Sequence, residues 1–138
     1  MVAEDDGVSA TQTEALAQQR LGQARYRAGL MALWNGACAV TGVDIPELLR
    51  ASHAKPWCDA TDSERLDPFN GFLLEARFDL LFDQGLISFD DDGAIMLSSR
   101  LSAEHCSKLG ITTELKLRFI RPAHLAYLKW HREKVFQK

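Results

Sequence analysis

The chain has 138 residues, 46% of them apolar and 25% charged. That is room for one compact domain, and it excludes collagen-like, wholly disordered and disulfide-dense classes. No apolar run approaches the roughly 18 residues that cross a bilayer, and the first residues lack a basic segment leading into an apolar core, so neither a membrane span nor a secretory signal is expected. Three widely spaced cysteines, Cys38, Cys58 and Cys106, suit a reducing cytoplasm without a disulfide framework. The net charge of -3 hides segregation. Residues 1–19 hold Glu4, Asp5, Asp6 and Glu14 and no base, whereas residues 20–36 hold Arg20, Arg25 and Arg27 and no acid. Residues 37–114 carry fourteen acids against six bases, and residues 115–138 carry seven bases against Glu133. Two basic regions flanking an acidic middle fit a polyanion partner, and equally fit two solvated helix faces.

In chain order, residues 1–13 are small, polar and acidic and read as a disordered leader; residues 14–138 read as a single domain. A helix is expected from about Glu14 to Trp34, with Leu16, Leu21, Tyr26, Leu30, Leu33 and Trp34 at roughly helical spacing and Asn35-Gly36 as its stop. A short extended piece and tight turn follow over residues 37–42. Residues 45–50 suit one or two helical turns with Asp44 as N-cap. Residues 51–57 read as a strand entering a loop, and residues 58–69 as irregular. Asn70 to Leu74 is a second strand, and Ala76 to Gln84 a short helix stopped by Gly85. Residues 86–89 and 94–97 flank Asp90-Asp91-Asp92-Gly93, a hairpin signal. Ser102 to Leu109 suits a helix stopped by Gly110, residues 115–120 a strand or loop, and Pro122 to Phe136 a final helix. The fold class is α+β, with a β–β–α unit and a short hairpin between N-terminal and C-terminal helices.

The chemistry concentrates between Leu49 and Phe89. His53 stands alone on a strand, and an imidazole with a pKa near 6.5 can take a proton from water at neutral pH. Asp79 and Asp83 lie one helical turn apart and share a face, with Glu75 a further turn back. Arg77 lies off that face and is not expected to relieve their repulsion; a bound cation would. Paired carboxylates are hard oxygen ligands suited to Mg²⁺ or Mn²⁺. Asn70 can pin the loop that carries the histidine. Each of these residues also has a plainer reading: His53 as a satisfied half-buried side chain, the two aspartates as solvent-facing polar groups. In combination they are the parts of metal-assisted phosphodiester hydrolysis.

The order His53, Asn70, Asp79, Asp83 resembles the HNH endonucleases, which have a ββα-metal fold. Three segments carry the closer resemblance to restriction-type HNH domains: Ala51-Ser-His-Ala-Lys-Pro-Trp57, Asn70-Gly-Phe-Leu-Leu74, and Asp79-Leu-Leu-Phe-Asp-Gln-Gly-Leu-Ile-Ser-Phe89. Gly22 to Arg27, Cys38 to Gly42 and Trp130 to Arg132 extend the likeness over about residues 20–136. The resemblance implies that His53 is the general base, that Asn70 orients its loop, and that Asp79 and Asp83 are ligands of a divalent metal. Ser52 stands where many relatives place an Asp or His ligand before the base. Asp79 replaces the usual histidine, which favours Mg²⁺ or Mn²⁺ over Zn²⁺. Cys38 pairs only with Thr41 where relatives have Cys-x-x-Cys, so no structural zinc is expected. Lys55, Arg20, Arg25, Arg27, Lys129 and Arg132 are the candidate phosphate contacts; His105, His124 and His131 are expected to be structural or surface residues. The implied protein is a cytoplasmic DNA endonuclease, as a monomer, a homodimer, or with a separate specificity domain or subunit. The reading from another class is a catalytically weak or inactive HNH-like module that binds DNA or a protein partner; RNA as substrate also stays open.

Overall fold

A computed structural model describes residues 10–138. Its long first helix, α1, spans Ala10–Leu33, so residues 10–13 are helical rather than part of the expected leader, whose remainder lies outside the described residues. Only the C-terminal half of α1 meets the core: Tyr26, Leu30 and Trp34 are buried, whereas Leu16 and Leu21, expected on the same apolar face, are 48% and 46% exposed. The helix stops where Asn35 and Gly36 both take positive φ. The turn after the helix is pinned from far along the chain: the Arg118 guanidinium donates to the oxygens of Trp34, Ala37 and Cys38 at 2.9–3.0 Å, which sets a cation beside the helix C-terminus.

A single 3-10 turn, Pro46–Leu48, precedes the first strand. Ile45, not Asp44, is its N-cap, and no side chain caps it. Strand β1 (Leu49–His53) therefore starts two residues earlier than expected and includes Arg50. It pairs antiparallel with β2 (Gly71–Glu75), Ser52 opposite Phe72 and His53 opposite Gly71. Helix α3 (Ala76–Asp83) follows β2 with no intervening loop. This makes Glu75 the last strand residue rather than a helix residue, and its carboxylate meets Arg77 at 3.2 Å. The expectation that Arg77 could not reach Glu75 assumed helical geometry at Glu75, whereas the helix begins one residue later, at Ala76. The connection from β1 to β2, expected to be irregular, contains a 3-10 turn (Trp57–Asp59) and a short helix, α2 (Asp62–Leu66). A capping box explains α2: Thr61 accepts from the Glu64 N–H, and the Glu64 carboxylate accepts from the Thr61 N–H.

The hairpin forms as β3 (Ile87–Phe89) against β4 (Ile95–Leu97), and α4 (Ala103–Leu109) runs from its Ser102 cap to a left-handed Gly110. Residues 115–120 form no strand and touch the hairpin by one bridge, Ala94 to Lys116. The last helix begins as a 3-10 turn at Pro122–His124 and continues as α5 (Leu125–Lys134). No helix among the described residues is long and apolar enough to cross a membrane. The architecture is α+β, with both sheets and all the longer helices sharing one core built on Trp34, Phe72, Phe78, Phe82 and Phe89.

Two buried histidines serve this core. His131 lies flat on Phe82, ring centres 3.7 Å apart. Its Nε2 donates to the Phe82 oxygen and its Nδ1 accepts from the Ser88 hydroxyl, both at 2.8 Å. That one ring ties α5 to α3 and β3. His124 accepts from the Arg121 N–H at 2.9 Å and packs against Phe72. Burial pushes both imidazoles from 6.5 down to about 4. The folded state thus refuses protons that the unfolded chain accepts below pH 6.5. Stability is fully present above pH 6.5 and declines as pH falls from there towards 4. Thermal melting across that range should show Tm falling with acid, and His131→Asn should flatten the slope while lowering Tm at neutral pH.

Candidate active site

Because β1 ends at His53 and α3 begins directly after β2, the fold sets the imidazole and the first turn of α3 beside one another. A cleft of about 380 Å³ opens there, lined by Tyr26, Arg27, Arg50, Ala51, His53 and Asp79 among others. The sequence-predicted His53 and Asp79 thus share one cavity.

His53 is fixed on three sides. Its ring stacks on Tyr26 at 3.7 Å with 15° between planes, and the Trp57 ring stands edge-on at 6.0 Å. Its Nε2 lies 2.9 Å from the Arg65 carbonyl oxygen. A carbonyl only accepts, so Nε2 carries the proton. In the neutral ring that leaves Nδ1 as a free acceptor. Burial lowers the pKa below 6.5; the bond to the Arg65 carbonyl opposes the shift and the Arg65 charge adds to it. The side chain is therefore a neutral base at pH 7.

Asn70 is fully buried and all its side-chain bonds run to the loop that follows His53. Oδ1 accepts from the Lys55 N–H at 2.8 Å, and Nδ2 donates to the oxygens of Lys55 and Glu64 at 3.2 and 3.0 Å. The Glu64 and Arg65 carbonyls are adjacent, so the amide that holds the first also steadies the one that orients His53. The Tyr26 hydroxyl completes the arrangement, donating to the backbone oxygens of Asn70 at 2.6 Å and Ser52 at 3.3 Å. Burial raises its pKa well above 10, so it remains a donor.

Asp79 is half-buried at the start of α3, and Asp83 is exposed one turn on. Burial raises the Asp79 pKa above 3.8; the Asp83 charge adds to the rise, while Ser52 and Arg50 oppose it. The Ser52 hydroxyl is buried with no partner within hydrogen-bond distance, yet it is near enough to Asp79 to favour the carboxylate. The candidate oxygen donors are the Asp79 carboxylate in the cleft and the Ser52 hydroxyl near it; Asp83 is exposed, does not line the cleft, and acts on Asp79 through its charge. Among the described residues no three or more His, Cys, Asp or Glu side chains are grouped to hold a metal. Hard oxygens in this number fit an ion that keeps most of its water, as Mg²⁺ does.

The candidate phosphate contacts divide. Arg27 donates to the oxygens of Leu49 and Pro46 at 2.7 and 3.1 Å, holding the entry to β1 while also lining the cleft. Lys55 is paired with Glu64 at 3.0 Å. Arg132 binds the Phe89 oxygen and Asp91, and Lys129 faces Glu133 at 4.0 Å on an exposed surface. Arg20 and Arg25 are exposed on α1. Cys38 is buried, its sulfur accepting from the Thr41 and Glu75 N–H groups. The residue that the sequence reading missed is Arg50. It is exposed, lines the cleft, and influences Asp79. Starting the strand at Leu49 would have placed it, since Arg50 and Ser52 then alternate onto one face.

No curated protein matches the chain. A family model described as HNH endonuclease matches residues 38–90. That span holds Ser52, His53, Asn70, Asp79 and Asp83, and the match supports the HNH family for this segment; the cleft's other wall, from Gln23 to Arg27 on α1, lies outside it.

Proposed function

We propose that this protein is a metal-dependent HNH endonuclease that hydrolyses DNA phosphodiester bonds. The observation that carries the reading is the neutral His53, its Nε2 committed to the Arg65 carbonyl and its Nδ1 free, in one cleft with Asp79. His53 Nδ1 takes a proton from water as the water oxygen bonds to phosphorus. The bond from phosphorus to the 3′-oxygen breaks, and that oxygen leaves to collect a proton from solvent. Asn70 keeps the loop, and through it the Arg65 carbonyl, in register with His53. Arg50 is placed to meet a phosphate oxygen at the cleft mouth. Asp79 and Asp83, with Ser52 beside them, would hold a Mg²⁺ or Mn²⁺ ion, which would supply positive charge against the phosphate when bound.

On this reading the subgroup is the restriction-type HNH domain, and a cytoplasmic setting is proposed. One site cuts one strand per engagement. Breaking both strands requires a second copy, a partner subunit or a second encounter. The sparse donor set favours one other reading, a weak or inactive nuclease-like module that binds DNA or protein.

Plasmid nicking in Mg²⁺ and Mn²⁺ separates the two. Metal-dependent relaxation of supercoiled DNA is expected, with His53→Ala lowering the rate by roughly 10²- to 10⁴-fold and Asp79→Ala abolishing it. Equal traces from wild type and both variants would mean a contaminant, and would leave the binding module as the reading. The pH dependence has a defined sign. Because the base acts when deprotonated and its pKa lies below 6.5, kcat/KM should be flat near neutrality. It should fall as one proton adds below pH 6.5, and further as Asp79 protonates. Asn70→Ala leaves the Lys55 N–H and carbonyl without their partner and the Glu64 carbonyl with the Asp67 N–H alone, so it should cost stability by roughly 1–3 kcal/mol, measured by urea unfolding, and lower kcat more than it raises KM.

A further inference from the structure

Trp57, which stands edge-on to His53, also lines a second and larger cleft, of about 540 Å³. Helix α1 forms one wall, with Gln18, Gln19, Leu21 and Arg25; Trp57, Arg65 and Leu66 form the other. Leu21 and Leu66 are 46% and 40% exposed, an apolar surface left open to water at the mouth of a cavity. Gly22 makes the approach of the walls possible, since a Cβ there would meet the Trp57 ring at 3.0 Å. The Arg65 guanidinium lies 4.7 Å from the Trp57 ring centre, and its Nε donates to the Trp57 oxygen at 2.8 Å. Among the described residues no ion pair or side-chain hydrogen bond occupies Gln18, Gln19 or Arg25. The one acid in the cleft, Asp62, faces Arg65 at 3.5 Å.

We propose that this second cleft is a nucleobase subsite that reads a base of the substrate strand next to the cut. The inference rests on the nuclease reading above and adds a specificity determinant to it. The chemistry of the walls suits a base and little else on a nucleic acid. Two apolar side chains and a Trp–Arg stack cover a flat ring. Two unoccupied amides present both donors and acceptors to its edge. Arg25 supplies a cation for the adjoining phosphate. The geometry also links the cleft to the chemistry: Arg65 offers its guanidinium to the subsite and its carbonyl to His53 Nε2, so a base seated against Trp57 is one side chain away from the general base.

The test uses the full chain, and two variants on the open wall of α1. Gln18→Ala/Gln19→Ala removes the edge-reading amides, and Ala15→Trp fills the cleft; these residues are exposed or half-buried, so Tm should not move. Cut sites are sequenced on a plasmid library with randomised flanks in Mn²⁺, and a fluorescent oligonucleotide is titrated in EDTA, where no cutting occurs. The wild type should show a base preference at one position beside the cut. The double variant should flatten it. Ala15→Trp should weaken binding roughly 5- to 100-fold and raise KM, leaving the acid limb of the pH profile in place. Cutting without a flanking preference, or a preference and affinity that survive both variants, would overturn the subsite and leave the nuclease reading standing. A wild type that neither cuts nor binds DNA would overturn both.

Discussion

A Cβ at position 71 would stand 1.9 Å from the Ser52 carbonyl oxygen and 2.5 Å from the Tyr26 hydroxyl. Gly71, at φ +129°, is thus the one residue that lets β1 and β2 close around the tyrosine. The rest of the site depends on this closure. With the strands that close, the Tyr26 hydroxyl reaches carbonyls on both sides of the gap, and its ring lies flat under His53. Asn70, adjacent to the glycine, turns its amide into the loop beyond His53. A buried polar knot of this kind is costly when half-made and rigid when complete; here every polar atom of the Asn70 side chain is used.

The same closure sets the electrostatics. Water is excluded from one face of the imidazole by Tyr26, and His53 loses solvation that its charged form would need. The result is a base that is neutral near pH 7 and held in one tautomer by a carbonyl. Asp79 meets the opposite consequence of burial, since desolvation also disfavours its carboxylate. Burial shifts both groups towards their uncharged forms, and a cation beside Asp79 would oppose the shift there. His53 is held by its carbonyl alone, whereas the Asp79 carboxylate would gain from positive charge beside it.

Much of this was legible in the sequence, and the omissions have physical causes. The α3 helix, the hairpin and α4 were plain because local signals agree there: an apolar helix face with a glycine stop, a turn cluster between apolar pairs, and Ser102 with Gly110 at the two ends. The pairing of His53 with Asp79 was legible from segment order. The α2 helix was missed because five residues carry no periodicity, although Thr61-x-x-Glu64 was a usable capping signal. The exposed half of α1 was misjudged because helical spacing of leucines is the same whether or not a core lies opposite. The roles of Arg27, Arg118 and Arg132 could not be read at all. Each donates to backbone oxygens supplied by residues 19 to 84 positions away, and a carbonyl leaves no trace in the sequence.

Those arginines change the meaning of the charge pattern. The two basic regions look like a footprint for a polyanion, yet several of their cations hold the fold together. Arg118 pins the turn after α1, Arg132 fastens α5 to the hairpin, and Arg27 secures the start of β1; Lys55, from the acidic middle, is likewise tied to Glu64. Among the described residues, Arg50 at the His53 cleft and Arg20, Arg25, Lys116, Arg121 and Lys134 elsewhere are exposed. Counterion release scales with the phosphates neutralised, so cations committed to backbone oxygens add less to binding than the charge pattern suggests. On the proposed nuclease reading, contacts to a base at the apolar and amide-lined wall beside Trp57 would add recognition to what the exposed cations supply along the backbone.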